Sequence, residues 1–252
     1  FSGLVVPGVL AAAPENGWRL CWGHFGALTL AIAVLCAVFL RNRALDVGLH
    51  PIGDSPTPAG SAPPPDGTAT ETVPLAFSSY LWRLGAVYFA YGFSYILYTT
   101  YFVKYLRTGL GQSAEQAGTL WFQIGLASSL SALLWGVVSD RWDRRRVIAL
   151  VFALQGCSYL AVGMETGKLG ATVSAGLFAA TAWSIPALMA AVCGDLYGAR
   201  RAPAALGLVT LAFGVGQVIA PVAGGWLADR TASFHASFLL ATATAWLLGC
   251  AG

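Results

Sequence analysis

Gly136-Val137-Val138-Ser139-Asp140-Arg141-Trp142-Asp143-Arg144-Arg145-Arg146 joins two apolar runs, 117–138 and 147–163. Each run approaches the roughly 20 residues that a helix needs to cross a bilayer. Basic residues packed between two such runs mark a short connection held at a membrane face. The stretch therefore predicts two antiparallel membrane helices joined by a charged loop. Outward from it the same pattern repeats, with further apolar runs at 21–40, 81–103, 170–192, 204–226 and 234–252, and a partial one at 1–13.

Composition agrees. Of 252 residues, 57% are hydrophobic and only 10% are charged, with a mean hydropathy of +0.67. Soluble domains carry about 25% charged residues, so a soluble enzyme, a disordered chain and a secreted disulfide scaffold are excluded. The net charge of +3 is small and scattered, which gives no nucleic-acid footprint. The five cysteines include no Cys-x-x-Cys pair and are expected to act as small buried hydrophobes. His24, His50 and His235 lack metal-ligand spacing, so no metal and no cofactor is expected. The chain begins at Phe1 inside one apolar run and ends at Gly252 inside another, and a fragment of a longer polytopic protein is the expectation.

Residues 41–77, with PTPAGSAPPPDGTATET, are rich in Pro, Gly, Ser, Thr and Ala and read as a linker. They divide residues 1–40 from a six-span group at 78–252. Arg41, Arg43, Arg83, Arg141, Arg144, Arg145, Arg146, Arg200 and Arg201 fall on the linker side of the alternating loops. Arg19, Lys104, Arg107, Lys168 and Arg230 fall on the other. The richer side, including the linker, faces the cytoplasm by the positive-inside rule.

The charged loop resembles the signature of the major facilitator superfamily, G-x-x-x-D-[RK]-x-G-[RK]-[RK]. Gly136, Asp140, Arg141, Arg144 and Arg145 match it, and Asp143 replaces the second glycine. The segment from Gly216 to Gly225 resembles that superfamily's G-x-x-x-G-P-x-x-G-G helix signature, with Ala220 replacing a glycine. FAYGFSYILYTTYF (89–102), LWG before the loop and CGDLYGARRAPAALG (193–207) look like the bacterial YbfB-like branch. The resemblance implies an all-α membrane bundle. Residues 1–40 would be the end of helix 5 and helix 6, 41–77 the central linker, and 78–252 helices 7 to 12. It also implies a secondary active transporter of a small organic solute, working by alternating access, with the charged loop at the cytoplasmic gate. The expected setting is the lipid bilayer of a bacterial inner membrane, as a monomer, with a coupling proton as an open partner. Alternatives are a transporter-like sensor or other non-transporting membrane protein and, further off, a polytopic membrane enzyme.

For the substrate site, Tyr88, Tyr91, Tyr95 and Tyr98 recur at steps of three and four and share one helix face. A tyrosine hydroxyl in hydrocarbon must find a partner, so the face lines either a cavity or a neighbouring helix. Gln123 and Gln217 are further candidates, since a buried amide is costly unless bonded. Thr181 and Ser184, just before Pro186, could contact a solute at a kink or bond to their own helix backbone. No ionisable residue falls near the centre of any expected span.

Overall fold

The computed structural model describes residues 2–40, 48 and 78–250. The linker expected at 41–77 lies outside the described residues, apart from Gly48. Contacts group residues 8–40 in one unit and residues 2–7 with 78–250 in another. Every regular element among the described residues is helical.

Helix α1 (Ser2–Ala12) falls partly in each unit; in the first unit its residues 8–12 lead to α2 (Gly17–Phe39) through a short turn, where the Gly17 N–H donates to the Ala13 carbonyl. The second unit is a bundle. It comprises α3 (Ser79–Thr108), α4 (Ala114–Ser128), α5 (Ser131–Arg141), α6 (Arg144–Gly163), α7 (Gly167–Thr181), α8 (Ser184–Thr231) and α9 (His235–Thr244). A wider turn over Ala245–Gly249 extends α9. Two expected spans are each built from a pair of segments: α4 with α5, and α7 with the first arm of α8. Gly198, at φ 67° and ψ 166°, divides α8 into two arms, a conformation that glycine adopts without steric cost. Among the described residues, five helical stretches are long and apolar enough to cross a membrane: 17–39, 114–141, 144–163, 167–198 and 200–231.

Helix α3 is long but not among those five. Its tyrosines lower its hydropathy, and it lies at the centre, packed on α8 and α9. Tyr91, Leu97, Tyr98, Phe102 and Leu106 are all buried. The outward faces instead carry Leu126, Leu133, Leu134, Val218 and Val222, the apolar surface that lipid requires. Cys21 and Cys193 are buried as expected, whereas Cys36 and Cys157 sit on exposed helix faces.

The glycine-rich stretch of α8 is a contact rail. A Cβ on Gly216 would lie 2.6 Å from the Phe89 carbonyl oxygen, and one on Gly224 would strike Leu97 and Tyr101. Ala220, between them, is fully buried. Small residues at every fourth position let two helices approach to backbone contact. The Tyr101 hydroxyl then donates to the Pro221 carbonyl at 2.7 Å across the seam. Replacing Gly216 by Val should force α3 from α8 and destabilise the bundle by about 1–3 kcal/mol. Gly176→Ala, which enters open space, should leave thermal unfolding nearly unchanged, and a fluorescence melt of both variants checks the contrast.

Candidate functional site

Pro186 has no N–H, so the Ala182 carbonyl, four residues earlier, loses its helical donor. Helix α7 ends there and α8 restarts at Ser184. Side chains from three other helices supply the hydrogen bonds that the break removes. The Tyr91 hydroxyl from α3 donates to the Ala182 carbonyl at 2.5 Å. Trp135 Nε1 from α5 donates to the Ala180 carbonyl at 2.7 Å. Gln155 Nε2 from α6 donates to the Thr181 carbonyl at 3.1 Å, and Ser184 Oγ donates to it at 2.6 Å.

The neighbouring break between α4 and α5 meets this one. The Trp183 backbone N–H donates to Ser131 Oγ at 3.1 Å, and its indole Nε1 to Ser128 Oγ at 3.2 Å. Ser128 Oγ also donates to the Gly125 carbonyl of α4, and Ser131 Oγ reaches back across the break to the Ser128 carbonyl. Two interrupted spans are thus stitched together at their interruptions.

The tyrosine stripe divides by depth. Tyr98 is fully buried, with its hydroxyl 2.9 Å from Ser174 Oγ and its ring stacked on Phe102 and tilted against Phe178. Tyr88 is buried with its ring 4.8 Å from that of Phe213. Tyr91 is buried and bonded at the break. Tyr95 alone of the four is half-exposed, its ring 6.0 Å from that of the exposed Trp183 and 5.8 Å from that of Phe178. Its hydroxyl has no hydrogen-bond partner among the described residues.

Thr181 and Ser184 are fully buried and bond to carbonyls of their own chain segment, Leu177 and Thr181 respectively. The structure therefore gathers Tyr91, Tyr95, Thr181 and Ser184 around one break. Gln217 is half-buried one turn before Pro221. Gln123 stands apart, exposed in an outer cavity of about 570 Å³ with Gln112, Gln116 and Lys168. Gln155, Trp135 and Trp183 were not singled out from the sequence. A lone amide within the apolar run 147–163 was the available signal for Gln155.

At the charged loop, Arg144 pairs with Asp140 at 3.2 Å and with Asp195 on α8, and donates to Ser139 Oγ at 3.2 Å. Asp143 caps α6, accepting from the Arg145 N–H at 3.2 Å with its own φ at −65°. A glycine is not needed there, because the turn is reached with negative φ. A Cβ on Gly136 would meet nothing within 4 Å, so no described helix crosses closely at that glycine. Arg141 and Arg145 are exposed. Arg145 borders a cavity of about 270 Å³, with Arg144 and Asp195 at its rim and Leu84, Ile148 and Met189 lining it.

The family model described as "Uncharacterised MFS-type transporter YbfB" matches residues 1–251. The chain belongs to this family of the major facilitator superfamily. It is thus a multi-pass membrane protein of a transporter family. A "Probable sulfoacetate transporter SauU" of Cupriavidus necator is 26% identical over 94% of this chain and 57% of its own length. "Monocarboxylate transporter 11" of Mus musculus is 28% identical over 94% of this chain and 52% of its own length. "Monocarboxylate transporter 12" of Mus musculus is 29% identical over 62% of this chain and 32% of its own length. The chain spans about half the length of the relatives it matches end to end.

The break gives a direct test. Tyr91→Phe strands the Ala182 carbonyl and should cost about 0.6–2 kcal/mol. Pro186→Ala restores a helical donor to that carbonyl, so the double variant should recover much of the loss. Unfolding of the four proteins in a thermodynamic cycle reads this coupling, and strict additivity would refute it.

Proposed function

We propose that residues 1–252 are the helix 5 to helix 12 part of a secondary active transporter that moves a small organic anion by alternating access. The observation that carries this reading is the pair of stitched breaks, which sets Tyr95 and Trp183 on an exposed face beside interrupted helices. Interrupted helices place helix ends where a solute can use them, a habit of transporters. The α8 N-terminus begins beside Trp183 and carries partial positive charge, which favours an anionic group. The names of the sulfoacetate and monocarboxylate relatives point to the same chemistry, a small carboxylate or sulfonate.

In this reading Tyr95 and Trp183 contact the solute, with Gln217 as a further polar contact. Tyr88, Tyr91, Tyr98, Thr181 and Ser184 act behind them by holding the break. The transporter works as a monomer in a bacterial inner membrane, with a proton as the coupling partner. Arg144, with Asp140 and Asp195, closes the cytoplasmic gate, and Gly136, Arg141 and Arg145 belong to the same loop.

Uptake of labelled small carboxylates and sulfonates by the full-length protein in proteoliposomes tests the function; solute that binds without moving would favour a sensor. Tyr95→Phe and Trp183→Ala should raise KM several-fold, on the order of one lost hydrogen bond or ring contact. Tyr105→Phe, at the far end of α3, should leave KM near its starting value. Equal effects at all three positions would remove Tyr95 from the site.

The gate reading makes a separate demand. The Arg144–Asp195 pair ties α6 to α8, whereas Arg144–Asp140 lies within one connection. Asp195→Asn should therefore shift the balance of inward and outward states more than Asp140→Asn. Exposed pairs of this kind are worth only about 0–1 kcal/mol each, so neither change should unfold the bundle. Cysteine accessibility from the two membrane sides and transport kinetics read the shift, and unchanged values for both variants would refute the gate.

A further inference from the structure

Helix α6 turns two polar side chains one turn apart, Gln155 and Tyr159, into the core of the bundle, and both are fully buried. Gln155 Nε2 donates to the Thr181 carbonyl at 3.1 Å. That bond fixes the amide, because a carbonyl only accepts and the amide oxygen must point away from it. Gln155 Oε1 then has no hydrogen-bond partner among the described residues, and the Tyr159 hydroxyl, which faces Ser94, makes no bond of full hydrogen-bond geometry. The nearest hydroxyls are matched: Tyr98 with Ser174, and Ser158 with the Ser174 carbonyl at 2.8 Å. Two such atoms one turn apart on one helix face call for a shared partner, because buried polar groups in native proteins are bonded to something.

We propose that Gln155 Oε1 and the Tyr159 hydroxyl form a binding site for one water molecule beside the α7/α8 break. The chemistry is complementary: water donates to the amide oxygen and accepts from the phenol. Positions i and i+4 lie on the same face of a helix, so both side chains leave α6 on the side that faces the bundle core. The named polar groups around it, Ser94, Tyr98, Ser158 and Ser174, are neutral hydroxyls. A metal cation would find no counter-charge among them, so water is the occupant that fits.

The site stands on the two orphaned atoms alone; its role in bending rests on the transport reading. The Thr181 carbonyl depends on the Gln155 amide for its interhelical bond, and hydrocarbon offers no replacement donor. A resident water next to that amide supplies a hydrogen-bonding partner when the break flexes and the amide turns. It lets an interrupted helix move without leaving a backbone carbonyl bare.

X-ray hydroxyl-radical footprinting of the full-length protein in nanodiscs, read by mass spectrometry, tests the site. Radiolysis of a bound water oxidises the side chains beside it, even where bulk solvent does not reach. Tyr159 should be oxidised on the order of tenfold faster than the equally buried Phe102. Gln155→Leu should bring it down to the Phe102 rate. Tyr159→Phe, which keeps the ring and removes only the hydroxyl, should lower oxidation at position 159 in the same way if Gln155→Leu does not fold. Oxidation of Tyr159 at the Phe102 rate in the unaltered protein would overturn the proposal. So would labelling lost when sodium replaces choline, which would assign the site to a cation. None of these readings needs transport, so a protein that moves no solute can still confirm the water site.

Discussion

Inside a bilayer, a backbone carbonyl that loses its helical donor cannot turn to solvent, and everything around the α7/α8 break follows from that. Pro186 removes one donor, and the restart of the helix at Ser184 disturbs its neighbours. Tyr91, Trp135 and Gln155 then converge from α3, α5 and α6 on three successive carbonyls, Ala182, Ala180 and Thr181. Each bond is modest in net energy, on the order of 1 kcal/mol. Their value lies in geometry. Three helices are indexed to one short turn, so the bundle has a single register in which all three carbonyls are satisfied.

The same constraint explains why α3 is tyrosine-rich and central. A tyrosine brings ring area for packing and a hydroxyl for a carbonyl or another hydroxyl, and α3 uses both at once. Tyr91 reaches Ala182, Tyr98 reaches Ser174 and Tyr101 reaches Pro221. These contacts require α3 to lie close to its neighbours, which the small-residue rail of α8 permits at Gly216 and Gly224. Remove the rail and the hydroxyls fall short of their acceptors; remove the hydroxyls and the breaks lose their partners. Packing and polar satisfaction are one problem here.

The spans and the charged loop were legible because hydropathy and basic-residue placement act over whole segments. Expected runs at 117–138 and 147–163 became 114–141 and 144–163. The kink before Pro186 was legible too, since a missing N–H is a property of one residue. The inward turn of the stripe was not: periodicity shows that Tyr88, Tyr91, Tyr95 and Tyr98 share a face, but not what that face meets. Only Tyr95, beside Trp183, is left half-exposed. Gln155 and Trp135 escaped notice because their partners are carbonyls, and every residue has a carbonyl. Asp143 shows the reverse case, where a departure from the family pattern proved to be an N-cap with its own physical logic.

The first arm of α8 connects these themes. It is bounded by the break at Ala182–Trp183 and by the left-handed Gly198, so neither end is continuous helix. Carbonyl bonds from three helices hold the turn that precedes it, and the Arg144–Asp195 pair holds it near the other end. The two restraints differ in kind. The Tyr91 and Gln155 bonds lie buried in the bundle core, while Asp195 is exposed and its pair is screened by water and salt. An arm fixed firmly at its root and lightly at its tip moves first at the tip. The charged loop 136–146 provides that light restraint, so the motif that first marked the fold sits where the arm is easiest to release.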